Sequence, residues 1–171
     1  MKNVLVTGLI GSGKSALCGE LKRRGYPVYD SDSRTKALYA SVPGLEQRIV
    51  EATGLDYAHL GEIFSDASKL EALEAIVHPL VRSDFERFAS ESESPVVFFE
   101  SAIAAGKKYF DGAFDKVVLV RAGKDLRVSR NPKAAVRSDF QCEPARYDIL
   151  IENNGSLEEL YSKIDLLLKQ L

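Results

Sequence analysis

The chain has 171 residues, 45% of them hydrophobic and 28% charged, with a formal net charge of −2. That length suits one domain, the apolar fraction suffices for a packed core and excludes a disordered chain, and the acidic balance argues against nucleic acid as the main partner. No apolar run approaches the ~20 residues that span a bilayer, and Cys18 and Cys142 show neither metal spacing nor a framework of bridges; with no signal peptide, a reducing cytoplasm is expected.

The first element is "NVLVT" (3–7), a β-branched run apolar on both faces, which reads as a buried parallel strand ending at Gly8. "GLIGSGKS" (8–15) follows, the pattern G-x-x-x-x-G-K-S, and a helix is expected from Gly13 to about Arg24. A triphosphate needs several backbone N–H groups turned inward, which Gly8, Gly11 and Gly13 permit, and the helix start adds its positive dipole end. Lys14 would reach the β and γ phosphates and the Ser15 hydroxyl would ligate Mg²⁺. The nucleotide-binding set is therefore Gly8, Gly11, Ser12, Gly13, Lys14, Ser15 and Ala16. The bland alternative is a flexible glycine-rich turn, but the match falls between a strand and a helix, as the motif requires.

"YPVYD" (26–30) is the second strand, and "VYDSD" (28–32) brings two carboxylates to its end. In extended chain Asp30 and Asp32 would face the same side, where either could take a proton from a substrate hydroxyl or bind Mg²⁺. Equally, Ser31 or Asp32 could simply cap the next helix. Residues 31–88 read as mainly helical, with breaks near Pro43-Gly44, Gly54 and Asp66. Within that run "IVHPLV" (76–81) places Pro79 where it cannot donate to the Ala75 carbonyl, so a kink is expected. His78 beside it is either a core histidine or a residue aimed into an acceptor pocket.

"PVVFFE" (95–100) and "DKVVLVRA" (115–122) are the third and fourth strands. Arg121, Lys124, Arg127, Arg130, Lys133 and Arg137 recur mostly three apart. They would share a helical face, mostly a solvated one, with one or two contributing to a triphosphate clamp. "YDILIEN" (147–153) is the fifth strand, and Ser156 with Glu159 fits a capping box before a last amphipathic helix. The alternation predicts an α/β fold: a five-stranded parallel sheet flanked by helices, with ligands at the strands' C-terminal edge. The stretch 31–94 departs from simple alternation and is expected to cap that edge.

These segments together resemble the dephospho-coenzyme A kinase family. "TGLIGSGKS" is similar to that family's glycine-rich start, "YDSD" to its Asp-x-Asp segment, and "EIFSDASKLEALEAIVHPLV" (62–81) to its most specific stretch. "FDKVVLV" (114–120) and "YDILIENNGSLEEL" (147–160) resemble its fourth strand and its final strand and helix. The resemblance implies a single P-loop kinase domain: a core of 1–30 and 95–171, a helical acceptor-binding part over about 31–94, and a lid over about 127–141. It implies transfer of the γ-phosphoryl of ATP, with Mg²⁺, to the ribose 3′-hydroxyl of dephospho-coenzyme A. Asp32, Lys14 and Arg130 become the catalytic set, Asp30, Asp32 and His78 the acceptor set, and Ser15 and Asp32 the metal set. It further implies a cytoplasmic monomer or weak oligomer, with no nucleic acid or membrane partner.

Some positions depart from the family. The lid segment "RVSRNPKAAVRSDFQ" (127–141) is short, Arg130 and Gln141 matching its ends, with Asn131-Pro132 where an Asp is usual. Tyr57 replaces a customary Arg, and "IAAGKK" a Leu-Phe-Glu-type stretch, with Glu100 nearby. The alternatives are another nucleotide or small-molecule kinase on this scaffold, or a nucleotide-binding relative without catalysis.

Overall fold

The computed structural model describes residues 1–56, 59, 63, 66–137 and 143–171, the side chains of 136 and 137 excepted. Its five strands are β1 (Lys2–Thr7), β2 (Val28–Asp30), β3 (Val96–Glu100), β4 (Lys116–Arg121) and β5 (Ile149–Glu152). They form one sheet in the order β2-β3-β1-β4-β5, every pair parallel. The last four fall within their predicted runs and are trimmed by a residue or two at the ends, whereas β1 begins one residue before its run, at Lys2. The helices are α1 (Lys14–Arg23), α2 (Ser31–Ser41), α3 (Leu45–Thr53), α4 (Ala67–Ser90), α5 (Lys124–Arg130), α6 (Ala134–Arg137) and α7 (Leu157–Gln170).

The sheet is buried on both faces, which is why its strands read as unbroken apolar runs. Val4, Val6, Phe98, Val118 and Val120 face α1 and α7 and pack on Leu17, Leu21, Leu160 and Ile164. Their neighbours Leu5, Tyr29, Val97 and Phe99 face the other way, onto Val77, Val81 and Phe85 of α4. Register then sets the functional edge. Glu100 lies opposite Val6 on one side and Asp30 on the other, so the ends of β1, β2 and β3 form one row.

Three expectations change or sharpen. The strand ends at Asp30 and α2 starts at Ser31, so Asp32 sits in the first helical turn rather than in extended chain. The cap is Asp30 itself, whose Oδ1 accepts from the Asp32 and Ser33 N–H groups at 3.1 Å each. Second, the helical run beyond Asp66 is not divided into short pieces: α4 is one helix over Ala67–Ser90 with Pro79 inside it. Burial of Val77, Val81 and Phe85 against the sheet outweighs the one backbone bond that Pro79 removes. Third, the basic run is split between α5 and α6 at Asn131-Pro132 and does not form one helical face.

A buried junction fixes α2 on α4. Asp84 accepts from Tyr29 Oη (2.9 Å) and from Arg34 Nε and Nη2 (2.8 and 2.7 Å). Arg34 lies two residues after Asp32, so this fork sets where the first turn of α2 stands. Among the described residues no helix is long and apolar enough to cross a membrane.

Candidate active site

The loop between β1 and α1 wraps a cavity of about 680 Å³. All three of its glycines are needed for close approach, Gly8 and Gly13 most tightly. A Cβ at Gly8 (φ +146°) would come within 2.1 Å of the Val120 carbonyl oxygen, and one at Gly13 (φ +103°) within 2.1 Å of Asn153 Nδ2. Gly11, Gly13, Lys14, Ser15 and Ala16 line the cavity, whereas Gly8 and Ser12 do not. Ser12 is fully buried and its N–H is spent on the Leu9 carbonyl (3.0 Å), so it shapes the loop from behind.

Lys14 Nζ rests on the Leu9 carbonyl at 3.3 Å. Burial pushes its pKa down, while Glu100 and Asp32 pull the other way. A phosphate arriving between these groups would restore the balance that burial disturbs. Ser15 Oγ donates to Glu100 Oε1 at 2.6 Å. Ser15, Glu100 and Asp32 all line the same cavity, so one hydroxyl and two carboxylates converge there. Oxygen donors of this kind suit Mg²⁺, which takes one or two carboxylates and completes its shell with phosphate and water. Among the described residues no cluster of three or more His, Cys, Asp or Glu offers an all-protein cage.

A second cavity, about 540 Å³, opens between α2 and α4 and is lined by Lys36, Tyr39, Leu73, Glu74, His78 and Phe110, among others. Asp32 and Ser101 line both cavities. His78 is 7% exposed and packs edge-on against Tyr109 and tilted against Phe110, with ring centroids 5.6 and 5.3 Å away. Its Nδ1 is buried without a hydrogen-bond partner. Burial pushes its pKa below the usual value; Glu74 opposes and Lys107 adds to the shift. Glu74 is itself occupied, accepting from Lys107 Nζ at 2.7 and 2.8 Å. His78 therefore packs among core aromatics and also lines the wall of the second cavity.

Asp30 also lines the first cavity, but its carboxylate is engaged in the cap and accepts from Ser33 Oγ at 2.7 Å. Burial pushes its pKa up, and the bonds from Ser33 and Asp32 outweigh that and hold it below the usual range. Arg130 lines the first cavity from α5, donating Nη1 to the Asn153 carbonyl (2.9 Å) and Nη2 to the Gly155 carbonyl (3.4 Å). Two of the other basic residues go elsewhere. Arg121 pairs with Glu143 at 2.7 Å, and Arg127 is buried behind the loop, its Nη1 on the Ile10 carbonyl at 3.4 Å. Tyr57, the Phe64-Ser65 pair and Gln141 lie outside the described residues.

Sequence reasoning gave no role to Ser101, Asn153 or the support that Arg127 lends, and noted Glu100 only in passing. An acidic residue closing the third strand, in register with Asp30, was the available signal for Glu100. Nothing in the sequence flags a serine one position later.

Comparison with known proteins bears on this geometry. The family model described as Dephospho-CoA kinase matches residues 3–159. A curated dephospho-CoA kinase of Porphyromonas gingivalis is 36% identical over 159 residues, which span 88% of this chain and 77% of that protein. A crystal structure of a Thermus thermophilus protein superposes with a TM-score of 0.81 at 32% identity, covering 99% of this chain and 97% of that one. Shikimate kinase from Aquifex aeolicus aligns over 98% of this chain and 96% of its own with a TM-score of 0.53 and 18% identity, a likeness of fold alone.

Proposed function

The chain belongs to the dephospho-CoA kinase family, and we propose that it transfers the γ-phosphoryl of ATP to the ribose 3′-hydroxyl of dephospho-coenzyme A, giving coenzyme A and ADP. The observation that carries this reading is the pair of cavities meeting at Asp32 and Ser101: one beneath the phosphate loop, one beneath α2 and α4. A donor nucleotide and an acceptor nucleotide need two such pockets with one shared wall.

Gly11, Gly13, Lys14, Ser15 and Ala16 take the phosphates, while Gly8 and Ser12 hold the loop's shape. Ser15, Asp32 and Glu100 would hold Mg²⁺, which when bound would neutralise charge on the β and γ oxygens. Asp32 orients the acceptor hydroxyl and takes its proton late, because a loose phosphoryl transition state asks little base strength. Arg130 supplies positive charge at the transferring oxygens once it leaves its two backbone carbonyls. The helical part, about 31–94, holds the acceptor, and the segment 127–141 serves as lid. Asp30 acts on the acceptor mainly by fixing the first turn of α2. The enzyme works on a small-molecule acceptor as a monomer or weak oligomer, without nucleic acid or membrane. The buried free thiol of Cys18 suits a cytoplasmic home.

Product analysis tests the reaction. Incubation with Mg-ATP and dephospho-coenzyme A should yield coenzyme A, seen as a new 3′-phosphomonoester signal by ³¹P NMR. Phosphate appearing on another position, or none transferred, would overturn the reading. His78 supplies a second check. His78→Ala should raise KM for dephospho-coenzyme A by about tenfold, the loss of one buried polar contact and its packing, and leave KM for ATP unchanged. Equal changes in both constants would contradict an acceptor-side role.

A further inference from the structure

Asn153, the first residue past β5, is 4% exposed and carries no role in the chemistry above. Its side-chain amide reaches across the sheet edge and donates from Nδ2 to the Ser12 carbonyl at 2.8 Å. Because the acceptor is a carbonyl, the NH₂ of the amide must face it. Its own N–H donates to the Arg121 carbonyl at 2.7 Å, which extends the β4–β5 ladder by one residue and makes the amide's mount rigid. Its carbonyl accepts from Arg130 Nη1 at 2.9 Å. The amide packs directly on Gly13, where any Cβ would land 2.1 Å from Nδ2.

We infer that Asn153 is the positioning residue of the phosphate loop: by holding the Ser12 carbonyl it orients the Ser12–Gly13 peptide so that the Gly13 N–H is presented to the triphosphate. A trans peptide is planar, and its C=O and N–H point in opposite directions. Fixing one end therefore aims the other. Among the described residues the Gly13 N–H has no acceptor, although Gly13 lines the nucleotide cavity. Without the bond from Asn153, the Ser12 carbonyl would be a buried acceptor free to turn, and a flipped peptide would set an oxygen against the phosphates. The same residue joins the loop to Arg130, so the loop and the α5 arginine share one anchor. Gly13 is needed here for space as much as for its positive φ, since a side chain would expel the amide.

The inference rests on the nucleotide half of the proposed function and not on the identity of the acceptor. Asn153→Asp is isosteric and replaces the donor by an acceptor facing the Ser12 carbonyl. Titrations with ATP, ADP and AMP, without acceptor, read the effect. The expected result is a loss of affinity on the order of 30-fold for ATP and ADP, with AMP within about twofold. KM for dephospho-coenzyme A stays within about twofold in the same variant. A merely structural role would lower the unliganded melting temperature and leave the ATP-to-AMP affinity ratio unchanged, and that outcome overturns the inference. Should the Asp variant fail to fold, Asn153→Ser, which is smaller and too short to reach Ser12, must show the same selective loss; wild-type ATP affinity in it refutes the proposal. A wild-type protein that binds no ATP refutes both this inference and the nucleotide-site reading. One that binds ATP but does not phosphorylate dephospho-coenzyme A fails only the latter's acceptor half.

Discussion

Lys14→Ala should reduce kcat by at least about 10³-fold, the scale seen when one preorganised charge is removed from a developing anion. The residue opens α1, lines the nucleotide cavity and stands within the influence of Glu100 and Asp32. Removing its ammonium leaves two carboxylates facing a tetra-anionic nucleotide with one cation fewer. The fold should survive, because among the described residues the only hydrogen bond that Nζ donates is a 3.3 Å contact with the Leu9 carbonyl. An unchanged melting temperature with turnover abolished is the expected pairing, read by thermal denaturation and steady-state ADP release. Retention of a tenth of the wild-type kcat would mean that the ammonium does not meet the transferring phosphoryl.

The second large effect concerns Asp32. Asp32→Asn should lower kcat by about 10²-fold while the ATP dissociation constant stays within about twofold. Asparagine keeps the shape and the helix position but cannot accept the acceptor's proton or carry its charge. Its effect is expected to be smaller than that of Lys14→Ala because the transition state is loose and positioning supplies most of the acceleration. The Arg34–Asp84 fork that seats α2 is untouched by the change. A near-normal kcat would remove Asp32 from the proton path and leave Glu100 as the carboxylate to consider. A large loss of ATP affinity would mean that the metal-holding part of Asp32 outweighs its part in the proton path.

The sheet was legible because its strands are buried on both faces: "NVLVT", "PVVFFE" and "DKVVLV" leave no other reading in runs so short and so β-branched. The loop was legible because anion cradling constrains residue type tightly, with Gly13 squeezed against Asn153 and Lys14 on the cavity. What pattern could not give was partnership across the chain. Asp30 and Asp32 looked equivalent by spacing, and only the change from strand to helix at Ser31 separates a capping carboxylate from one that borders both cavities. The basic run looked like a face until Asn131-Pro132 divided it, sending Arg130 to the cavity edge and Arg127 behind the loop. Pro79 removes one backbone bond, and the long apolar stripe of α4 carries the helix past it. Asn153 sits in an unremarkable "ENNG", and its bond to Ser12 spans 141 positions of sequence, a distance at which no local signal operates.

The most direct test of the two-cavity account is ADP release from Mg-ATP with dephospho-coenzyme A, AMP or adenosine as acceptor. The account predicts saturable release that depends on dephospho-coenzyme A, with the two smaller acceptors at background. Equal release with all three, or none above background despite measurable ATP binding, would contradict it.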